Sequence, residues 1–147
     1  MRRLIIVLCV LLAGCGGAGF LSGGGLATLH RNRARWTDLG IRDYDFNFRR
    51  SCFCGSESTE PVRIEVRAGQ LSRVISLTTG QDVTSIPYAT WPTIDSLFVW
   101  TERSLGNKYR LTITYDAAHH FPARVIGDIP DAIDDEFTHT ATDLVRR

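Results

Sequence analysis

Alternating apolar and polar residues recur along the chain and limit it to a fold built around half-buried β-strands. The clearest examples are YDFNF at 44–48, PVRIEV at 61–66 and YRLTITY at 109–115. Because successive side chains of a strand point to opposite faces, each segment turns one apolar row towards a core and one polar row towards solvent. The same reasoning predicts strands at 71–77, 122–127 and 137–144, and Gly69 suits a tight hairpin turn after the second strand.

Two helices are predicted from apolar residues that recur at helical spacing. In the first, at 27–40, Leu29, Trp36 and Leu39 share one face, and Gly40 is a suitable C-terminal stop. The second starts after Thr93, whose hydroxyl can cap it, and ends at Gly106. Its apolar face comprises Ile94, Leu97, Phe98, Thr101 and Leu105.

Short matching strings divide the chain into two similar halves. Leu-Gly precedes a strand at 39–40 and again at 105–106, and PVRI at 61–64 corresponds to PARV at 122–125. Each half is predicted to form one helix followed by three strands. The predicted fold is therefore α+β, with duplicated αβββ units forming one antiparallel sheet that carries both helices on one face.

The first residues, MRRLIIVLCVLLAGC, are typical of an export signal that ends in a lipid-anchor cysteine. The apolar run from 4 to 13 is shorter than the roughly 20 residues that a membrane-spanning helix needs. Leu12-Ala13-Gly14-Cys15 resembles a bacterial lipobox, in which the cysteine thiol takes a diacylglycerol and the signal is removed. Residues 1–14 are thus predicted to be the signal peptide and Cys15 the anchor.

The prediction of a lipid anchor sets the location and the domain boundaries. Residues 15–25 form the anchor and a glycine-rich tether, because glycines lose much backbone entropy on ordering, and 26–147 form a single α+β domain. The protein is expected in a bacterial cell envelope, held to the membrane through lipidated Cys15. Since Gly16 rather than an aspartate follows, the sorting pattern predicts the outer membrane, facing the periplasm, if the source has two membranes.

The charge of the mature chain argues against one class of partner. The 17 basic residues fall to 15 when Arg2 and Arg3 leave with the signal, against 16 acidic residues. Nucleic-acid-binding domains carry a concentrated basic face, so no nucleic-acid partner is expected from this balance. The 44% hydrophobic content suits a chain that folds around a core.

Cys52 and Cys54 are the only cysteines left once Cys9 departs with the signal and Cys15 is lipidated. An exported protein meets an oxidising compartment, which predicts a disulfide between the two. Residues i and i+2 of a regular strand are separated by about 6.6 Å, so the backbone must bend at Phe53. A redox centre, a zinc site and an intermolecular bridge stay open as alternatives.

A set of short strings is distinctive in combination. Its members are Trp36, Tyr44, Cys52-Phe53-Cys54, Pro61 to Val66, Gly69, Thr93 to Phe98, Tyr115-Asp116, Phe121-Pro122 and Asp134-Asp135-Glu136. Together they resemble the bacterial lipoprotein-like family called domain of unknown function 6174. The resemblance spans about residues 35–144, and it implies a placement without an activity. The resemblance also leads one to expect a glycine before the aromatic-proline pair, where this chain has His120.

The sequence contains none of the familiar catalytic signatures, such as G-x-S-x-G, H-E-x-x-H, a P-loop or a dinucleotide fingerprint. The adjacent pair His119-His120 favours a loop, since neighbours on extended backbone point apart. An acidic group could hold calcium but is better interpreted as a solvated turn, because its spacing does not fit an EF-hand. It consists of Asp128, Asp131, Asp134, Asp135 and Glu136.

Aromatic side chains with polar tips suggest where a partner could bind. Tyr88 and Trp91 lie in the longest segment without a regular pattern, and Trp100 follows in the second helix. Covering the end of the core is the favoured role for these rings, and a recognition surface is the alternative. The predicted function is a non-enzymatic envelope binding or assembly module, without cofactor or metal, for an envelope protein or small ligand. A thiol-redox or metal-handling protein that uses Cys52 and Cys54 is the second hypothesis.

Overall fold

The computed structural model describes residues 23–85, 90–107, 109–130 and 135–147. Helix α1 begins at Gly23, so the last three residues of the expected tether belong to it. The predicted turn after Cys54 holds a one-turn helix, α2. The elements in chain order are α1 Gly23–Asp38, β1 Tyr44–Cys52, α2 Ser56–Thr59, β2 Val62–Arg67, β3 Gln70–Ser76, α3 Ile94–Leu105, β4 Arg110–Tyr115, β5 Pro122–Asp128 and β6 Phe137–Arg146.

One six-stranded antiparallel sheet organises the described residues, with the strand order β3-β2-β1-β6-β5-β4. The prediction of an α+β fold with one antiparallel sheet is therefore confirmed. The finer prediction, that the sheet is built from duplicated αβββ units, is not confirmed.

Both long helices pack against one face of the sheet. The rows of β1 and β2 that were predicted to point inward are fully buried, and α3 buries Ile94, Leu97, Phe98 and Thr101 against them. From α1, Leu29 and Trp36 join the same core. The inward residues of β1 and β2 are Tyr44, Phe46, Phe48, Val62, Ile64 and Val66.

Turns and caps follow the predicted residues, with one informative exception. Gly40 ends α1 with a φ of 62°, and the Thr93 hydroxyl accepts a hydrogen bond from the Ser96 amide at the start of α3. His120 also has a positive φ, 64°, in the β4–β5 turn. This is the position where the family resemblance leads one to expect glycine, which adopts that conformation without steric cost.

The sheet has two distinct ends, which we call the Cys52 end and the Tyr44 end after the last and first residues of β1. Cys52 pairs with Phe137, and Tyr44 pairs with Arg146. The Ile94 amide donates a hydrogen bond to the Tyr44 hydroxyl, so α3 starts at the Tyr44 end and finishes at the Cys52 end. Gly25 of α1 lies beside Leu105, which places the start of α1 at the Cys52 end as well.

Candidate functional site

The predicted cysteine pair lies at the Cys52 end of the molecule. The structure brings Cys52 and Cys54 together as a bonded pair with Cα atoms 5.3 Å apart, and the backbone bends at Phe53. The Phe53 side chain is 82% exposed, the largest exposure of any large hydrophobic side chain in the described ranges. The pair therefore forms a small ring that presents an apolar side chain to solvent.

The predicted aromatic surface divides into three different environments. Tyr88 lies outside the described residues. Trp91 is only 8% exposed, and its indole N–H donates to the Val83 carbonyl at 3.3 Å, so it covers the core and is not a free recognition ring. Trp100 is half-buried and packs beside the core. Of the three predicted binding residues, Trp100 is the one whose ring is both described and partly accessible.

Trp100 belongs to an aromatic cluster at the Cys52 end. The His139 ring lies 5.9 Å from Trp100, 5.8 Å from Phe48 and 4.9 Å from Phe137, centroid to centroid. Phe137 occupies the space over Gly127, where an added Cβ would come within 2.2 Å of the ring. Gly127 is therefore needed for close approach, and any larger residue there would displace Phe137.

A cation completes the cluster. The Arg50 guanidinium lies 5.5 Å from the centre of the Trp100 ring and donates to the Thr90 carbonyl at 2.9 Å. Burial lowers the pKa of His139 to about 4, and the nearby Arg50 charge acts in the same direction. His139 is therefore neutral near pH 7 and acts as a packing residue beside a cation–π contact.

The face of the sheet opposite the helices carries a buried carboxylate surrounded by arginines. Asp45 is 2% exposed although it points to this open face. Its oxygens accept hydrogen bonds from Arg67 at 2.8 Å, Arg147 at 2.6 Å and Arg63 at 3.2 Å. Burial by itself would raise the pKa of the Asp45 carboxyl, but these three donors hold it below its usual value.

The whole open face has an excess of positive charge that the composition concealed. The strand pairings and the contacts of Asp45, Asn47 and Arg73 place seven arginines and five acidic residues on it. The arginines are Arg49, Arg63, Arg67, Arg73, Arg110, Arg124 and Arg147, and the acidic residues are Asp45, Glu65, Asp82, Asp128 and Asp143. Acidic residues on other parts of the protein balance this excess. The net charge of the whole chain is therefore near zero although the open face is positively charged.

Two exposed arginines lie in register near the middle of the open face. Arg49 of β1 and Arg124 of β5 both pair with Thr140 of β6, so the three side chains lie in one row across the open face with Thr140 in the middle. Their Cα atoms are about two strand spacings, roughly 9.5 Å, apart. Neither side chain makes a hydrogen bond or ion pair to the described part of the chain. Arginine forks of this kind suit carboxylate and phosphate oxygens.

Two shallow pockets lie at the Tyr44 end, at some distance from the aromatic cluster. One, of about 340 Å³, is lined by Arg42, Asp43, Arg146 and Arg147 among others. The second, of about 450 Å³, lies between the end of α1 and the β2–β3 hairpin. Arg42 lines both, but its guanidinium already donates to the Ala68 carbonyl.

Among the residues that the structure describes, those with metal-binding side chains are not gathered into a site. The described ranges contain no group of three His, Cys, Asp or Glu residues arranged to hold an ion. The His119 ring lies 3.0 Å from the Asp116 carboxylate. In the acidic group, Asp131 and Asp134 lie outside the described residues. Helices that combine the length and apolar character for crossing a bilayer are also absent from the described part of the chain.

Comparison with known families gives one match. The family of unknown function DUF6174 matches residues 28–146, which is most of the chain and the whole of the described sheet. The chain belongs to this family. The resemblance that the short strings indicated is thereby confirmed. Comparisons with curated proteins and with solved structures give no match.

Sequence patterns missed the residues that distinguish the open face. The predicted alternation of β1 ends at Phe48, although the strand continues to Cys52 and so includes Arg49. The period of two, extended by one residue, puts Arg49 on the polar side of the strand. Its proximity to Arg124 depends on β6 lying between β1 and β5, which local sequence does not specify.

Proposed function

We propose that this member of DUF6174 is a lipid-anchored protein of the bacterial cell envelope that binds an acidic protein partner through its open sheet face. The basic open face is the observation that carries the binding role. A solvated face is ordinary for an antiparallel sheet, but an excess of arginines over acids favours a partner with the opposite charge. The lipobox at Leu12 to Cys15 supports the anchor.

The proposed role is binding rather than catalysis. Asp45 accepts hydrogen bonds from three arginines, and His139 is neutral and surrounded by rings. Neither group is arranged with a nucleophile in the manner of a general base. Arg49, Thr140 and Arg124 instead offer donors without a reacting group, which suits recognition of a carboxylate.

The lipid anchor is tested by replacing Cys15 with alanine. We expect the variant to accumulate as an unprocessed precursor and to lose incorporation of a fatty-acid analogue, because only the thiol can form the thioether. Gel mobility and labelling of the full chain measure both. Cys9→Ala is the matched control and should be processed and labelled normally. A labelled mature form of the Cys15 variant would refute the anchor.

The binding face is tested by reversing two charges. Arg49→Glu/Arg124→Glu should abolish capture of the partner from solubilised membranes, since like charges would then oppose each other across the interface. Arg35→Glu/Arg103→Glu is the matched control, because it makes the same change in net charge at exposed helix positions. The captured species should be an acidic protein, and its yield should fall between about 0.05 M and 0.5 M salt as charges are screened.

Equal capture by the two double variants would refute the open face as the binding surface. Recovery of an anionic polysaccharide in place of a protein would refute the proposed class of partner. Urea unfolding of both variants checks that the substitutions leave the fold intact. The four replaced arginines make no side-chain hydrogen bonds or ion pairs to the described residues. Both double variants should therefore unfold at urea concentrations close to that of the wild type.

A thiol-redox role is the second candidate function, and the bonded pair of Cys52 and Cys54 favours it specifically. Cys54 is exposed, so a reductant could reach its sulfur. Attack of a thiolate on a disulfide sulfur is the chemistry this would require. Intact mass before and after reduction and alkylation separates a closed pair from two free thiols in the protein isolated from the envelope.

We also propose that the domain arose from two αβββ units. Each half contributes one long helix and three strands that are neighbours in the sheet, β3-β2-β1 in one half and β6-β5-β4 in the other. The matching strings at 61–64 and 122–125 both begin the second strand of their half.

A further inference from the structure

The Cys52 end of the molecule carries its most exposed apolar side chain among the described residues. Phe53 is 82% exposed at the bend between two bonded cysteines, and Leu26, in the first turns of α1, is 38% exposed at the same end. A single exposed hydrophobic residue is common on protein surfaces. The Phe53 ring is distinctive because the bonded pair fixes the backbone on both sides of it, so less conformational entropy is lost when the ring contacts another surface.

The chain connects this end to the proposed anchor. Residues 15–22 are the eight that separate the start of α1 from Cys15, counting Cys15 itself, and eight residues can span at most about 28 Å when fully extended. Because α1 begins at the Cys52 end, a lipid on Cys15 would hold this end nearest the bilayer. The Tyr44 end would point away from it.

We propose that the tip formed by Cys52, Phe53 and Cys54 contacts the membrane, with the Phe53 ring inserted at the boundary between headgroups and acyl chains. The inference rests on the lipid anchor of the proposed function. Only shallow insertion is compatible with the structure, since the peptide groups of an irregular bend need water or headgroups as hydrogen-bond partners. Aromatic rings are well suited to that depth.

Charge at this end is balanced between acidic and basic side chains. Asp135 and Glu136 are exposed just before β6 begins. Arg103 in the last turn of α3 and Arg110 at the start of β4 are exposed at the same end, so neither anionic nor cationic headgroups are favoured. The expected contact is therefore apolar and insensitive to salt. In this orientation the strands run roughly perpendicular to the membrane surface. The open face is then accessible from the side.

A tryptophan at the tip reports the contact directly. The full lipidated chain carrying Phe53→Trp is reconstituted into phosphatidylcholine vesicles whose acyl chains are brominated. Emission from the introduced tryptophan should be weaker in brominated vesicles than in vesicles without bromine, because bromine quenches it. In the vesicles without bromine, its emission maximum should lie at a shorter wavelength than that of the same variant in detergent-free buffer without lipid. Leu71→Trp is the matched control at the Tyr44 end, where Leu71 is 37% exposed, and its emission should not change. The wild-type chain supplies the background from Trp36, Trp91 and Trp100.

Flotation of the vesicles separates failure of this inference from failure of the anchor. A chain that floats without selective quenching at position 53 retains its anchor and refutes the membrane contact. A chain that does not float refutes the anchor, and the membrane contact with it. Equal urea midpoints for the two tryptophan variants and the wild type establish that each reporter sits in a folded domain.

Discussion

Replacing Asp45 with asparagine is expected to lower the free energy of unfolding by about 3 kcal/mol, because it removes the one negative charge that three guanidinium groups share. The Asp45 side chain is 4% exposed, and those of Arg63, Arg67 and Arg147 are 31%, 39% and 46% exposed. The arginines can partly rehydrate, so the loss should fall at the low end of the range for a buried pair. Urea unfolding at pH 7 measures it.

The effect of the Asp45 substitution should depend on pH in a defined direction. The pKa of Asp45 is lower in the folded protein than its ordinary value of 3.8, so ionised Asp45 stabilises the fold above that value. The stabilisation is lost as pH falls through the folded pKa, and the wild type and Asp45→Asn should converge there. Glu102→Gln is the control, since its ion pairs with His30 and Arg33 are exposed and should contribute less than about 1 kcal/mol. Equal losses in both variants at pH 7 would contradict the role given to Asp45.

Replacing Trp36 with alanine is expected to cost about 3 to 5 kcal/mol, a large share of the stability of an ordinary domain. Trp36 is 2% exposed and makes edge-to-face contacts with Tyr44 at 5.4 Å and Phe121 at 6.2 Å. It thus joins α1 to β1 and to the start of β5. Its removal leaves a cavity and also detaches the helix that leads to the proposed anchor.

Urea unfolding followed by circular dichroism measures the loss in Trp36→Ala. Phe53→Ala is the matched control, since it removes an aromatic ring that is 82% exposed and should change stability by no more than about 0.5 kcal/mol. Limited proteolysis after Arg33 and Arg35 in α1 should become faster in the Trp36 variant alone. A loss below about 1 kcal/mol would mean that α1 contributes little to the core.

Local residue patterns were sufficient for the two long helices, the six strands and much of the core. The alternation in YDFNF and PVRIEV identified the buried rows of β1 and β2, since burial of one sheet face imposes a period of two. Thr93 and Gly40 marked helix boundaries because caps satisfy local backbone groups. The strings that carry the family resemblance also identified DUF6174 correctly.

The placement of functional side chains depended on tertiary structure. The sequence left Trp91 as either a cover for the core or part of a recognition surface, whereas the fold buries it against the core and satisfies its N–H through Val83. Cys52 and Cys54 were predicted to lie close together, but the exposure of Phe53 between them follows from the position of the bend at the sheet's end.

By itself, the sequence determined the α+β class and the inward faces of its elements, because each of these follows from the periodicity of residues close in the chain. Only the tertiary structure decided that β6 lies between β1 and β5, and thereby brought Arg49 and Arg124 to either side of Thr140. The same pairing brought Arg147 onto Asp45, 102 residues away. Strand order is set by which apolar rows pack best together across the whole sheet, so the charge of the open face emerges only when distant segments meet.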